Sequence, residues 1–349
     1  MVSWLNNIQT KVMALFLFVA LAPLVVVSAF STRTAEELII GMVSGHLENV
    51  AEDKAAILEK WILERKADIR VIAGTSAIKS MDPVQIEPYL KMVGMNYRVY
   101  NGFVVLDMEG RRVFDSFNER RSYSEEQWYL ESRQGRLFLS DVVKDSHQAG
   151  SVFYISAPIF EDNGIIKGVV CTKVGTNTIQ DVILKVYLGE TGECYLVDKN
   201  GAFLAHKDPK RILKENIAQS ESFKNIFSGT RSDRIYQDYR GIKVLGASRS
   251  IGGTDWFLVV EQDRDEAFRS VDRLKRYVYL AMALTAIGAT IIASLLSYYF
   301  AKPIIALSNA ANLLSIGKFE GIPIKSDRTD EIGVLHRAFV NMANELLAR

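Results

Sequence analysis

Side chains that commonly perform chemistry are few in this chain and lie far apart. The four histidines, His46, His147, His206 and His336, do not pair with one another or with a cysteine at the spacing of metal ligands. The chain has no phosphate-binding Gly-x-x-x-x-Gly-Lys loop, and no Ser-His-Asp arrangement can be assigned with any specificity. We therefore predict no catalytic residue, no metal and no cofactor, and we expect that the chain is not an enzyme.

The chemistry that remains is that of small-molecule binding. Trp128 and Tyr129 are adjacent, and aromatic rings supply rigid apolar walls with polar edges. Lys173 is a candidate for holding an anionic ligand, with Glu126 as its ion-pair partner when the site is empty. The alternatives are that the aromatic pair belongs to a core and that Lys173 is a solvated strand residue. The candidate ligand contacts are Tyr123, Glu126, Trp128, Tyr129, Asp141, Tyr154 and Lys173.

The amino-acid composition argues against one class of binding partner. The net charge is +1 and no basic stripe with interleaved aromatic residues occurs, so we expect no nucleic-acid partner. Cys171 and Cys194 lie in separate strand-like runs. We interpret them as two buried thiols and give the alternative, a disulfide, less weight.

Two uncharged apolar runs divide the chain into segments that would lie on opposite sides of a membrane. Val12–Phe30 and Tyr277–Ala301 carry no charged residue, and a helix of about 20 apolar residues is enough to cross a bilayer. We predict transmembrane helices at 12–32 and 277–301. The first run could instead be a cleaved signal peptide, with Val27-Ser28-Ala29 as the cleavage site. Because it exceeds the roughly 7–15 apolar residues of a signal core, we favour a retained anchor.

This layout predicts a two-pass protein of the inner (plasma) membrane. Residues 1–11 and 302–349 would lie in the cytoplasm, and 33–276 would lie outside. The positive-inside rule supports this orientation only weakly, but a domain of this size can translocate regardless of flanking charge.

The outer segment begins with helical periodicity and then changes to β patterning. Residues 33–73 predict one long helix that Gly74-Thr75-Ser76 ends, with a short helix following near 83–93. The apolar stripe of the long helix is Ala51, Ala55, Leu58, Ile62, Ile69 and Ile72.

A repeat then indicates two similar lobes. Asp107 and Gly110 recur as Asp198 and Gly201, each pair between two strand-like runs, and an Asp-x-x-Gly sequence favours a tight turn. Hairpins are predicted across residues 162–164 and 252–254. We predict an α+β fold with a distal lobe at about 83–180 and a proximal lobe at about 188–263, each with about five strands.

Residues 302–349 carry two short heptad seams, which are typical of coiled-coil helices. The seams are Ile304, Leu307, Ala311 and Leu314, and then Ile332, Leu335, Phe339, Met342 and Leu346. A connector with Gly317, Ile322 and Ile324 separates them. Two helices of this length cannot bury a core alone, so we expect a parallel homodimer that forms a four-helix bundle.

These motifs resemble two families. Pro303 at the membrane exit, with Asp330-Glu331-Ile332-Gly333 opening the second helix, resembles a HAMP domain. The tandem lobes, with Trp128-Tyr129 and Ser140-Asp141-Val142, resemble a double-Cache sensor, which carries two PAS-like lobes and usually binds small ligands in the membrane-distal one. The HAMP resemblance implies that the signal-relay residues are Pro303, Leu307, Leu314, Asp330, Glu331, Gly333, Leu335 and Phe339.

One departure from the double-Cache pattern bears on the ligand. Members that bind amino acids place an arginine two residues before the Trp-Tyr pair and an acid on the strand after the last hairpin of the lobe. Here Glu126 and Lys173 stand at those positions, so both charges are reversed. We therefore expect a ligand other than an α-amino acid in the usual pose, for example an organic acid.

The resemblance implies a homodimeric transmembrane receptor of the kind found in chemoreceptors and two-component systems. It would sense a small ligand in the distal lobe and relay it through the second membrane helix to a HAMP bundle and a cytoplasmic kinase or other output module. Two alternatives stay open. The chain is the input portion of a histidine kinase whose catalytic module lies beyond Arg349, or it is a partner-binding sensor with no small-molecule ligand.

Overall fold

The structure is a computed structural model that describes residues 8–119, 121–145, 150–183, 188–227, 235–316 and 328–347. The chain divides into two compact units. One comprises Met1–Glu37 with Ser270–Arg349, and the other comprises Leu38–Arg269.

The helices of the first unit agree with the two predicted apolar runs. Helix α1 extends from Ile8 to Ala73. Helix α8 (Arg269–Leu296) continues through a π-helical turn (Ser297–Ala301) into α9 (Lys302–Ser315), and α10 comprises Glu331–Leu347. Among the described residues, Ala14–Ala73 and Arg269–Ser315 are long and apolar enough to cross a membrane.

The start of α10 explains its Asp-Glu-x-Gly sequence. The Asp330 carboxylate accepts a hydrogen bond from the backbone N–H of Gly333 at 3.0 Å and so caps the helix. The Arg328 guanidinium donates to both oxygens of this carboxylate. A Cβ on Gly333 would overlap the carbonyl oxygen of Arg328, which requires glycine here. The predicted connector residues Gly317, Ile322 and Ile324 lie outside the described residues.

The second unit contains two antiparallel sheets with the same strand order. The first sheet runs β2-β1-β6-β5-β3, with β4 also paired to β5, and the second runs β8-β7-β11-β10-β9. The strands of the first sheet are β1 (Tyr100–Asp107), β2 (Arg112–Asp115), β3 (Phe138–Leu139), β4 (Val143–Lys144), β5 (Ser151–Phe160) and β6 (Ile166–Gly175). Those of the second are β7 (Glu193–Asp198), β8 (Phe203–Ala205), β9 (Ile235–Gln237), β10 (Lys243–Ser250) and β11 (Trp256–Asp263).

Short helices cover and connect the sheets. Asp82 precedes the helix Pro83–Asn96 and caps it, accepting from the backbone N–H of Val84 at 3.0 Å. The helices are α2 (Ser76–Lys79), α3 (Pro83–Asn96), α4 (Gln127–Arg133), α5 (Asn177–Ile183), α6 (Glu221–Phe227) and α7 (Arg264–Ala267), with a 3-10 turn at Pro209–Arg211.

The repeated Asp-x-x-Gly sequence forms the same turn in both sheets, as predicted. The N–H of Gly110 donates to the carbonyl of Asp107 at 3.1 Å, and that of Gly201 donates to Asp198 at 3.0 Å. Both glycines have a positive φ, near +80°, that strains any residue with a Cβ. A third turn of this kind, Asp238 to Gly241, joins β9 to β10 and was not predicted.

The apolar stripe of α1 packs against the sheets. All six predicted stripe residues, from Ala51 to Ile72, are buried. Phe153 on β5 contacts Trp61 of α1 and Trp256 of β11, with ring centroids 6.2 and 5.5 Å apart. One aromatic side chain thus joins the helix to both sheets. Cys171 and Cys194 are free thiols, buried in different sheets, and burial raises the pKa of Cys194 to about 12.

Candidate ligand-binding site

A cavity of about 550 Å³ lies between α4, the segment after β3 and strand β5. This volume is within the range of small-molecule sites. Four residues proposed from the sequence line it: Glu126, Trp128, Asp141 and Tyr154. The other lining residues are Glu119, Arg121, Gln127, Ser140, Val143 and Lys144.

Hydrogen bonds fix the two walls of the cavity to β5. Ser156 donates its hydroxyl to the carbonyl of Trp128 at 2.8 Å, which holds α4 on the strand. On the other side, Ser140 makes two bonds to Tyr154: the backbone N–H of Ser140 donates to its carbonyl at 2.9 Å, and the Ser140 hydroxyl accepts from its N–H at 2.8 Å. Asp141 is therefore carried on a segment anchored to the sheet.

The apolar wall is an aromatic cluster. The Trp128 ring stacks on Tyr154 with 6.4 Å between centroids and a 22° interplanar angle. Tyr123 and Phe117 pack behind them. Burial raises the pKa of Tyr154 and of Tyr123, so both phenols stay neutral at physiological pH.

One buried donor in this wall lacks an acceptor in the part of the chain that the structure describes. Trp128 is only 2% exposed, and among the described residues its indole N–H has no hydrogen-bond partner. Leaving a buried donor unsatisfied costs about 1–3 kcal/mol. A ligand atom with a lone pair would remove that penalty.

A chain of alternating charges runs from beneath the cavity to its rim. The Lys173 ammonium lies 2.9 Å from Glu119 and 3.3 Å from Asp145, and all three side chains are buried. The Arg121 guanidinium links Glu119 to Glu126, with both N···O distances 2.7 Å. Burial favours a higher pKa for Glu119, but hydrogen bonds from Lys173 and Arg121 outweigh it and hold the pKa below its usual value.

The predicted pair between Lys173 and Glu126 is wrong, and so is the alternative of a solvated Lys173. Arg121 lies between them and pairs with Glu126, while Lys173 is 3% exposed and pairs with Glu119 and Asp145. An ammonium at this depth requires nearby carboxylates, and both come from segments distant in sequence.

Three of the seven proposed contacts do not line the cavity. Lys173 lies beneath it, in contact with Glu119. Tyr123 is buried, with its hydroxyl 3.3 Å from Asp115. Tyr129 is also buried and donates its hydroxyl to the carbonyl of Asp107 at 3.0 Å. Sequence reasoning missed Arg121 and Glu119, although the dense charges of residues 119–126 are a signal that could have indicated them.

A family model matches the part of the chain that contains both sheets. Residues 31–271 match the family model described as Cache domain, which is more than half of the chain. The chain belongs to the Cache domain family. Its matched region includes both sheets and the cavity.

The curated relatives of this Cache protein are much longer than the matched region. Protein IcfG of Synechocystis sp. is 24% identical over 292 residues, which cover 81% of this chain and 45% of the relative. The methyl-accepting chemotaxis protein PctB of Pseudomonas aeruginosa is 21% identical over 174 residues, covering 49% of this chain and 28% of the relative. The matches thus span less than half the length of either relative.

Solved structures show the same fold. The ligand-binding domain of the Pseudomonas fluorescens chemoreceptor CtaA, in complex with L-leucine, has a TM-score of 0.53 and 17% identity, covering 66% of this chain and 99% of that chain. The ligand-binding domain of the amino acid chemoreceptor PctB of P. aeruginosa, in complex with L-Arg, has a TM-score of 0.52 and 17% identity, covering 64% and 97%. Both of these structures are ligand-binding domains of chemoreceptors.

Proposed function

We propose that this Cache protein is a transmembrane receptor that binds a small organic acid in the cavity beside Trp128. The observation that carries the proposal is a cavity lined by both Arg121 and Trp128, whose buried indole N–H has no hydrogen-bond partner among the described residues. An indole N–H needs an acceptor and a guanidinium favours a carboxylate, so both match one anionic group.

The reversed charges argue against an α-amino acid bound in the family's usual pose. In relatives solved with L-leucine or L-Arg, the resemblance places an acid for the ligand ammonium where this chain has Lys173. Here an ammonium already occupies that position and is held by Glu119 and Asp145. Lys173 therefore supplies no carboxylate for a ligand ammonium at that position.

Glu126 acts in this proposal as an internal substitute for the ligand carboxylate. Its carboxylate accepts from Arg121 at 2.7 Å, and an incoming acid would take over that bond. Displacement frees the side chain of the residue that precedes α4, the helix that carries Trp128. Ligand binding would therefore be coupled to the position of α4 on the sheet.

Signal relay is proposed to run through the second apolar helix to a HAMP bundle formed by α9 and α10. A ligand shifts such an equilibrium by its differential affinity for the two states, about 1–3 kcal/mol. Leu307 is buried, whereas Leu335 is 55% exposed in the single chain. That exposure supports a homodimer in which Leu335, Phe339 and Leu314 pack against a second copy, with a kinase or other output module downstream.

The test measures ligand binding by the full chain in lipid nanodiscs, with ¹⁵N-labelled tryptophan and acetate, propionate, succinate, glycine and alanine as probes. At least one of acetate, propionate and succinate should shift the Trp128 indole N–H signal saturably. Arg121→Gln should abolish the shift. Glu126→Gln should tighten binding by about tenfold, because the charged competitor for Arg121 is removed.

Lys167→Gln supplies the matched control, since Lys167 lies outside the cavity and should leave binding unchanged. Saturable micromolar binding of glycine that Trp128→Ala removes, with no response to the acids, would contradict the proposal.

A further inference from the structure

A buried carboxylate lies in the second sheet, outside the cavity described above. Glu261 on β11 is 1% exposed. Its carboxylate accepts three hydroxyl hydrogen bonds, from Ser222 at 2.7 Å and from Tyr195 and Tyr236 at 2.9 Å. No lysine or arginine in the described part of the chain forms a salt bridge with it.

The backbone opposite Glu261 is adapted to this arrangement. Gly246 on β10 pairs directly with Glu261 in the ladder. A Cβ at position 246 would overlap the hydroxyl of Tyr236 and would lie 2.8 Å from the Glu261 side chain. Glycine in the middle of a strand destabilises it unless another group needs the space, and here Tyr236 and Glu261 occupy that space.

Glu261 holds the position in the second sheet that Lys173 holds in the first. Both sheets have the same strand order, and the repeated turns align Asp107 with Asp198. The residue three positions before Asp107 is Val104, which pairs with Cys171 on β6. The residue three positions before Asp198 is Tyr195, which pairs with Val259 on β11. Two residues further along these partner strands are Lys173 and Glu261. The equivalent position thus carries a buried ionisable side chain in both sheets. It is salt-bridged in the first sheet, whereas in the second its side-chain partners among the described residues are three neutral hydroxyls.

The charged groups around Glu261 are otherwise paired with one another. Glu193 faces it across the β7–β11 ladder, but Glu193 pairs with Lys207 and Arg240 and accepts from Tyr239. Asp238, in the turn after β9, raises the pKa of Glu261 and is paired with Arg240.

Within the part of the chain that the structure describes, no cation of the neighbouring helices forms a salt bridge with Glu261. On α6, Glu221 accepts from the backbone N–H of Gln237. On α7, Glu266 accepts from the N–H groups of residues 190 and 191, and Arg264 pairs with Asp265. Lys54 of α1 lowers the pKa of Cys194 against the larger effect of burial.

We propose that Glu261 makes the second sheet a proton sensor, a second input that is independent of the ligand cavity. In its charged form the carboxylate holds α6, β7 and β9 through three O–H···O bonds. On protonation it takes one proton from solvent and becomes a donor at one oxygen. A hydroxyl that donated to that oxygen must then reverse or release, because a protonated oxygen no longer accepts it as a carboxylate does.

The pKa of Glu261 suits a proton sensor. Burial is the main cause, and it raises the pKa of Glu261 to about 7 although the three hydroxyl bonds lower it. The sensor would therefore change state between mildly acidic and mildly alkaline conditions. Ser222 of α6 donates to the carboxylate, so protonation should loosen the hold on that short helix.

The experiment compares wild type and Glu261→Gln as full chains in lipid nanodiscs between pH 5 and 8.5. Infrared difference spectra should show a carbonyl band of one protonated carboxylic acid that disappears around pH 7 in wild type and is absent in the variant. Hydrogen exchange of α6, corrected for the intrinsic effect of pH, should become slower above pH 7 in wild type only.

Tyr236→Phe gives an independent variant that keeps the fold close to wild type. Removing one donor to the carboxylate should shift the step to higher pH by about one unit. Glu215→Gln, an exposed residue of the same sheet region, should behave as wild type. A wild-type chain with no step between pH 6 and 8, a step that persists in Glu261→Gln, or α6 exchange that does not follow the step would each overturn the proposal. None of these outcomes depends on a ligand in the cavity.

Discussion

Replacing Lys173 with methionine tests whether the buried charges beneath the cavity stabilise the first sheet. Methionine keeps the apolar stem but removes the ammonium that lies 2.9 Å from Glu119 and 3.3 Å from Asp145. It also removes the contact of this ammonium with the Phe117 ring, whose centroid is 4.7 Å away. Removing one partner of a buried ion pair costs about 3–5 kcal/mol. Because Glu119 retains Arg121, we expect the lower end, about 3 kcal/mol.

The pH dependence of this loss has a definite sign. Lys173 and Arg121 hold the pKa of Glu119 below its usual value. The charged carboxylate therefore stabilises the fold fully at a pH above the usual pKa. This contribution is lost as the pH falls through the lowered pKa. In Lys173→Met the pKa of Glu119 rises. The difference from wild type should therefore be largest near pH 7 and shrink below about pH 4.5.

Urea unfolding of the full chain in nanodiscs, followed by the near-ultraviolet circular dichroism of the aromatic cluster, measures the effect. Adding Glu119→Gln to Lys173→Met should recover part of the loss, since one of the two carboxylates that Lys173 paired is then neutral. Lys167→Met is the matched control, because its pair with Glu161 is exposed and 3.7 Å long, and it should change stability by less than about 0.5 kcal/mol. A Lys173→Met chain as stable as wild type, or a deficit that grows on acidification, would refute the reasoning.

Three further predictions concern the second sheet and the C-terminal helices. Gly246→Ala should destabilise the chain by about 1–3 kcal/mol, because its methyl group would overlap the Tyr236 hydroxyl; an unchanged urea midpoint would contradict this. Glu266 accepts from the N–H groups of residues 190 and 191, and these bonds lower its pKa to about 2 against the effect of burial. Glu266→Gln should therefore lower the melting temperature at pH 7, and the deficit should fade as the pH falls towards 2. Leu335→Asp should abolish output in a fusion to a kinase module while leaving ligand affinity within about twofold, and normal signalling would contradict the HAMP relay.

Local features were predictable because neighbouring residues decide them. The Asp-x-x-Gly turns at Asp107 and Asp198 depend on one side chain and one glycine three residues later. The end of α1 at Gly74 and the buried stripe from Ala51 to Ile72 follow from helix periodicity alone. The two apolar runs needed only their length.

The candidate site was predictable only in part, because its charges are paired across the fold. Trp128 and Tyr154 were found as aromatic residues in the right lobe, and the structure places both in the cavity wall. Arg121 was missed. Its guanidinium joins Glu119 to Glu126, and no spacing rule for irregular segments states which of several nearby charges will meet.

The amino-acid sequence by itself determined the apolar spans, the long helix, the tandem β pattern and the presence of charged residues at 126 and 173. Only the tertiary structure decided what those charges do. It buried Lys173 between Glu119 and Asp145, left the Trp128 indole N–H without an acceptor among the described residues, and placed Glu261 among three hydroxyls at the equivalent position of the second sheet. The reason is physical: turns and helices depend on residues a few positions apart, whereas the energy of a buried polar group depends on partners that folding brings from distant segments.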